Sequence, residues 1–198
     1  MNTQRTGHIV DRKGLPPEYP THRHSEEFWE QLGRTVATFG FLEETLGKAI
    51  FALTATRRYE EDEINDAYAK WLPTLNRAVS DPLVRLIDAY GKALRDHPDV
   101  KYAGADTLID DLRSAAKLRN VFCHGSWRVP DADGKSLPFF ITSKMLIFDT
   151  PIDVAHLRQT RAGIVELVCV VMNSVTHMGW QFPGTSGPGE VVYESRKK

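Results

Sequence analysis

Apolar positions recur every three or four residues through most of this chain, the spacing that gathers them along one stripe of an α-helix. Ser25 followed by Glu26, Glu27 and Phe28 marks a helix start, a hydroxyl cap with acidic residues in the first turn. From there to about Thr54, Phe28, Leu32, Val36, Phe39, Leu46, Ile50 and Leu53 form the stripe. Glu60 to Glu63 open a further helical segment reaching about Val79, and Pro73 is expected to kink or break it. Asp81-Pro82 predicts a cap with proline in the first helical position, after which Leu83, Leu86, Ile87, Tyr90 and Leu94 face inward. Beyond the loop signal His97-Pro98-Asp99, a helix from about Asp106 turns Leu108, Leu112, Ala115 and Phe122 to the core. Gly125 stands where a left-handed residue would end it.

After Gly125 the period changes. Pro130 to Lys135 carries turn residues, and Phe139 to Phe148 is rich in β-favouring side chains, so a β-hairpin is expected at about 127–148. Thr150-Pro151-Ile152-Asp153 then predicts a last helix with its own cap and first-turn proline. From Ile164 to Val175 that helix is apolar on almost every side, which implies more than one packing partner, within the chain or in a second copy. Residues 1–20 hold Gly14, Pro16, Pro17 and Pro20 and read as a flexible N-terminal arm, and 181–198 as a flexible C-terminal tail. Between them, 21–180 form one mainly α domain: an antiparallel helical bundle with the hairpin inserted before the last long helix.

Composition narrows the class. With 198 residues, 41% apolar and 26% charged, the chain has enough material for a soluble, core-bearing domain. A formal charge of -1 argues against wholesale non-specific nucleic-acid binding but allows a local basic patch. No run reaches membrane-spanning length without charges, and Met1 to Gly14 lacks the apolar core of a signal peptide. The cytoplasm is the expected location, and no membrane partner is expected. Cys123 and Cys169, set among apolar helical residues, are expected to be buried free thiols. His22 and His24 flank one residue but lack a third ligand at helical spacing, so no metal and no cofactor is expected.

Two charges break the apolar stripes. Advancing about 100° per residue, Arg119 falls at about 20° from Leu108, within its helix's core face. Glu43 falls at about 60° from Phe28, within the stripe of the first helix. An unpaired buried guanidinium is very costly, so a Glu43–Arg119 ion pair is the simplest way to satisfy both. Such a pair either staples the bundle or orients Arg119 for chemistry. His124 occupies the last turn of the Arg119 helix, where the negative end of the macrodipole favours a cation. Asn120 precedes it by one turn. Arg119 and His124 themselves stand about 140° apart, so an ideal helix does not bring them together.

The run Arg119-Asn120-Val121-Phe122-Cys123-His124, closed by Gly125 and followed by Trp127, resembles the HEPN superfamily, whose hallmark is an Arg, a polar residue, three more residues and a His near a helix end. The resemblance implies a helical bundle over most of the chain and, in active members, a metal-independent endoribonuclease. Such members work as homodimers with the two motifs facing each other. Arg119 would then stabilise the phosphorane, His124 would exchange protons, and Asn120 would hold the phosphate or the ring. RNA becomes the expected substrate. Toxin, defence or stress roles, with an inhibitory partner protein, are implied in the same way. Some toxin members carry a modifiable Tyr two residues after the His; here that position is Ser126. Arg113 and Lys117, on the polar flank of the motif helix, and Arg128 beyond it are candidate RNA contacts, although a solvated basic face has the same pattern. Trp127 is a candidate for stacking on a base, or an anchor for the hairpin. The alternative is a catalytically inactive dimerisation or binding module of the same fold, with Arg119 held by Glu43.

Overall fold

A computed structural model describes residues 6–57, 60, 65–66, 69, 73, 82–100, 104–142 and 145–187. Among them four helices dominate: α1 (Glu26–Ala55), α2 (Leu83–Asp96), α3 (Ala105–His124) and α4 (Val154–Thr176). Most of the helix expected over 60–79 lies outside the described residues. No helix among the described residues is long and apolar enough to cross a membrane.

α1 starts where the cap chemistry places it, with the Ser25 hydroxyl accepting from the Phe28 amide at 3.2 Å. Its stripe is buried at Phe28, Leu32, Phe39, Leu46, Ile50 and Leu53, while Val36 is half-buried. Each fully buried side chain of this kind contributes roughly 1.5–3 kcal/mol relative to exposure. Leu83, Leu86, Ile87, Tyr90 and Leu94 of α2 and Leu108, Leu112, Ala115 and Phe122 of α3 complete the predicted core.

Cross-contacts fix the directions of the helices. Arg158 bonds Glu27, and Arg161 bonds Gln31 at 2.9 Å, so α1 and α4 run side by side in the same direction. α3 runs against both α1 and α2, since Arg119 meets Glu43 while Phe122 meets Phe39, and Arg95 meets Asp106 while Arg113 meets Asp88. The bundle is therefore not antiparallel throughout, because the α1–α4 pair is parallel. A parallel pair needs a long return connection, and that crossing is made by the chain between α1 and α4.

Three boundaries differ from expectation. Pro82 is the residue before α2 rather than its first helical residue, and its carbonyl accepts from Arg85 and Leu86. α4 begins at Val154, after Asp153, whose carboxylate accepts from the His156 amide at 2.7 Å. Thr150 and Pro151 stay outside the helix because Ile152 is buried and exchanges backbone hydrogen bonds with Ser136. The C-terminal tail also starts later than 181, because Phe182 is buried in the core.

Where a hairpin is expected, at 127–148, the described residues form no named strand and pair through three isolated antiparallel bridges, Ser126 with Phe139, Ser136 with Ile152 and Ile141 with Ile147. Prolines at 130, 138 and 151 lack the amide a ladder needs, whereas around Ile141 and Ile147 the Thr142 amide donates to the Leu146 carbonyl at 2.9 Å and the Phe148 amide to the Phe140 carbonyl at 3.0 Å. The β-favouring side chains of the segment remain largely in solvent: Phe139, Ile141, Leu146 and Ile147 are exposed.

Candidate functional site

α3 carries the motif to the edge of the bundle. Its last turn holds His124, and the Gly125 amide closes the helix on the Val121 carbonyl at 2.8 Å. Gly125 is not left-handed: its φ is -69° and its ψ is 138°. Glycine is required there by contact instead. A Cβ would stand 2.5 Å from the Val121 oxygen and 3.0 Å from Pro138. Pro138 thus packs directly against the end of the motif helix.

Arg119 and Glu43 meet, Nη2 to Oε1, at 3.3 Å, with side chains 29% and 28% exposed. One carboxylate oxygen engages one end of the guanidinium, and the pair lies at the border of the core rather than inside it. Asn120 is half-buried and His124 exposed. Among the described residues neither has a side-chain hydrogen-bond partner. The motif therefore presents an exposed imidazole, a carboxamide one turn earlier, and a guanidinium held from one side.

The surrounding cations divide. Lys117 is exposed on the same flank as His124. Arg113 is engaged by its own bundle: it bonds Asp88 at 2.9 Å and lies 3.5 Å from Asp110. Its hydrogen bond to Asp88 holds the guanidinium still more firmly in the charged form. Arg128 lies over the Phe139 ring, 4.9 Å from its centroid. Trp127 packs edge-on against Phe28 at 5.0 Å and stacks near Phe122 at 6.2 Å, so it anchors the connecting loop to the bundle.

Two features escaped the sequence pattern. His24 is half-buried: it stacks on Phe28 at 4.5 Å and meets Trp29 and Trp127 edge-on. Its Nε2 is enclosed without a hydrogen-bond partner, and burial pushes its pKa down. No local sequence signal announces this, because Trp127 joins Phe28 and Trp29 only through the fold. Beside this ring, a cleft of about 330 Å³ opens between the starts of α1 and α4, lined by His24, Ser25, Phe28, Asp133 and Asp153. None of Arg119, Asn120 and His124 borders it. Among the described residues no three His, Cys, Asp or Glu side chains converge to hold a metal ion.

The second feature is thiol exposure. Cys123 and Cys169 are free but exposed rather than buried. Cys169 lies about 120° round α4 from the buried Leu157, on a side that no described element covers. No family model, no curated protein and no solved structure matches the chain.

Proposed function

We propose that the chain is a HEPN-like, metal-independent endoribonuclease, an effector of the toxin, defence or stress kind that the motif implies. The observation that supports this is the exposed, unpartnered His124 at the end of α3, with Asn120 and the half-exposed Arg119 on the preceding turn. In this mechanism an imidazole removes the proton from the ribose 2′-hydroxyl, whose oxygen attacks phosphorus. The bond to the 5′-oxygen breaks as that oxygen takes a proton from a second acid. The products are a 2′,3′-cyclic phosphate and a free 5′-hydroxyl. Arg119 stabilises the extra negative charge at phosphorus through its remaining N–H groups, and Asn120 positions the phosphate. Because Arg119 and His124 diverge by about 140° on one helix, the motif of a second copy supplies the other half. Lys117 is the nearby cation left to track the RNA backbone.

The Glu43 contact favours a second reading, an inactive binding module in which Arg119 is a structural half-pair. One experiment separates the two. Purified protein is incubated with mixed RNA in EDTA, beside His124→Ala and Arg119→Lys. Ribonuclease action predicts cyclic-phosphate ends that survive chelation, vanish in His124→Ala and fall at least about a hundredfold in Arg119→Lys. A folded wild type that leaves RNA intact favours the binding module.

A further inference from the structure

On the side of α1 turned away from the core, Glu30, Arg34, Ala37, Phe41, Glu44 and Lys48 follow one another at alternating steps of four and three. At about 100° per residue they share a strip centred about 200° from Phe28, opposite the buried stripe. Five of the six are exposed, Phe41 at 47% among them, and Lys48 is half-exposed. Charges sit only at the two ends of the strip. Glu30 pairs with Arg34 at 2.8 Å and Glu44 with Lys48 at 2.6 Å, leaving Ala37 and Phe41 between them.

From this pattern we propose that a second copy of the chain docks here, its α1 antiparallel to the first, about a two-fold axis level with residue 39. In that register every position i meets 78 minus i. Glu30 then faces the second copy's Lys48, Arg34 its Glu44, and the small Ala37 its large Phe41. Each intrachain ion pair meets the reversed pair of the other copy, so charge complementarity is complete along the strip. A parallel alignment would set Glu against Glu and Arg against Arg. Sliding by one heptad sets Glu30 against Phe41, or Lys48 against Ala37, and loses the pairing. A contact that repeats itself under a two-fold closes on two copies and goes no further.

Neighbouring features suit this occupant. Gly33 and Gly40 border the strip, and nothing stands within 4 Å of where either would carry a Cβ, so a second helix has room to approach closely. α4 extends the apolar centre. Val165 and Cys169 are exposed on the flank that Arg158 and Arg161 turn toward α1, beside the level of Ala37 and Phe41. The strip lies on the far side of α1 from Glu43 and Arg119, so this contact is independent of the ribonuclease reading. A pair formed this way leaves each motif facing outward, open to RNA or to a further copy.

Light scattering on the full chain tests the contact. Wild type should give twice 22.4 kDa, or a multiple of that where the motifs also pair, in the micromolar range. Phe41→Glu should raise the dimer dissociation constant at least about tenfold with an unchanged helical spectrum. Arg34→Glu and Glu44→Arg should each weaken the pair, and the double variant, which restores opposite charges in this register, should recover it. Phe41→Ser covers the case in which the charged variant fails to fold. A wild type that stays monomeric throughout that range, a dimer indifferent to both Phe41 substitutions, or a double variant no better than its parents overturns the proposal.

Discussion

At the residue scale, position 125 shows how contact can dictate glycine where backbone angle does not. Its dihedrals suit any residue, yet a Cβ would meet the Val121 oxygen at 2.5 Å. Gly125→Ala should therefore cost about 1–3 kcal/mol in urea unfolding and displace the His124 turn, lowering any activity more than a surface change would. His24 gives a pH signature. Burial lowers its pKa in the folded state below the ordinary 6.5, so the unfolded chain binds the proton more readily. Stability is then at its full value above about pH 6.5 and declines as pH falls from there toward the lowered folded value. His24→Phe keeps the ring against Phe28 but cannot titrate, so its Tm should vary less between about pH 7 and pH 5 than that of wild type. The Glu43–Arg119 pair was legible in advance, because two opposite charges each interrupted an apolar stripe. The enclosure of His24 was not: its partners Phe28 and Trp127 are brought together only by tertiary packing.

At the element scale, the long periodic helices announced themselves and the irregular segment did not. α1 and α3 begin within a residue of where caps and stripes place them, since an amphipathic helix repeats its signal over many turns. The 126–152 segment has β-favouring composition, but prolines at 130, 138 and 151 interrupt its donors, and its described residues pair through isolated bridges rather than named strands. α1 also carries glycines whose cost the lone chain does not offset. In a Phe41→Glu background, Gly33→Ala and Gly40→Ala should each raise stability by roughly 0.5–1 kcal/mol, measured as a shift in the urea midpoint. In the wild-type background the same substitutions should weaken self-association, because the new methyl groups stand where the second α1 approaches.

At the scale of the whole molecule, closure of the core depends on its last described residues. Phe182 is 2% exposed and lies beyond the end of α4, tying the chain back to the bundle. Phe182→Ala should cost about 3–5 kcal/mol and make the segment after Thr176 an early site of proteolytic cleavage in a time course. Helix directions were the part of the fold least legible in the sequence. Stripe and cap patterns say that a helix has a buried face, but they do not say which neighbour fills it. The parallel α1–α4 pair emerges only from cross-contacts such as Arg161 with Gln31.

That pairing has a consequence for how the protein is made. The Thr35 hydroxyl, buried on α1, bonds the Leu157 carbonyl across 122 positions of sequence. The face of α1 that receives α4 leaves the ribosome while its cover is still untranslated, for about ten seconds at ordinary elongation rates. During that interval the nascent chain can assemble α1, α2 and α3 through their shorter-range contacts, but it exposes the groove that Leu157, Ile164, Val168 and Val171 will fill. Emergence of α4, rather than the growth of any earlier helix, is the moment at which this core first closes.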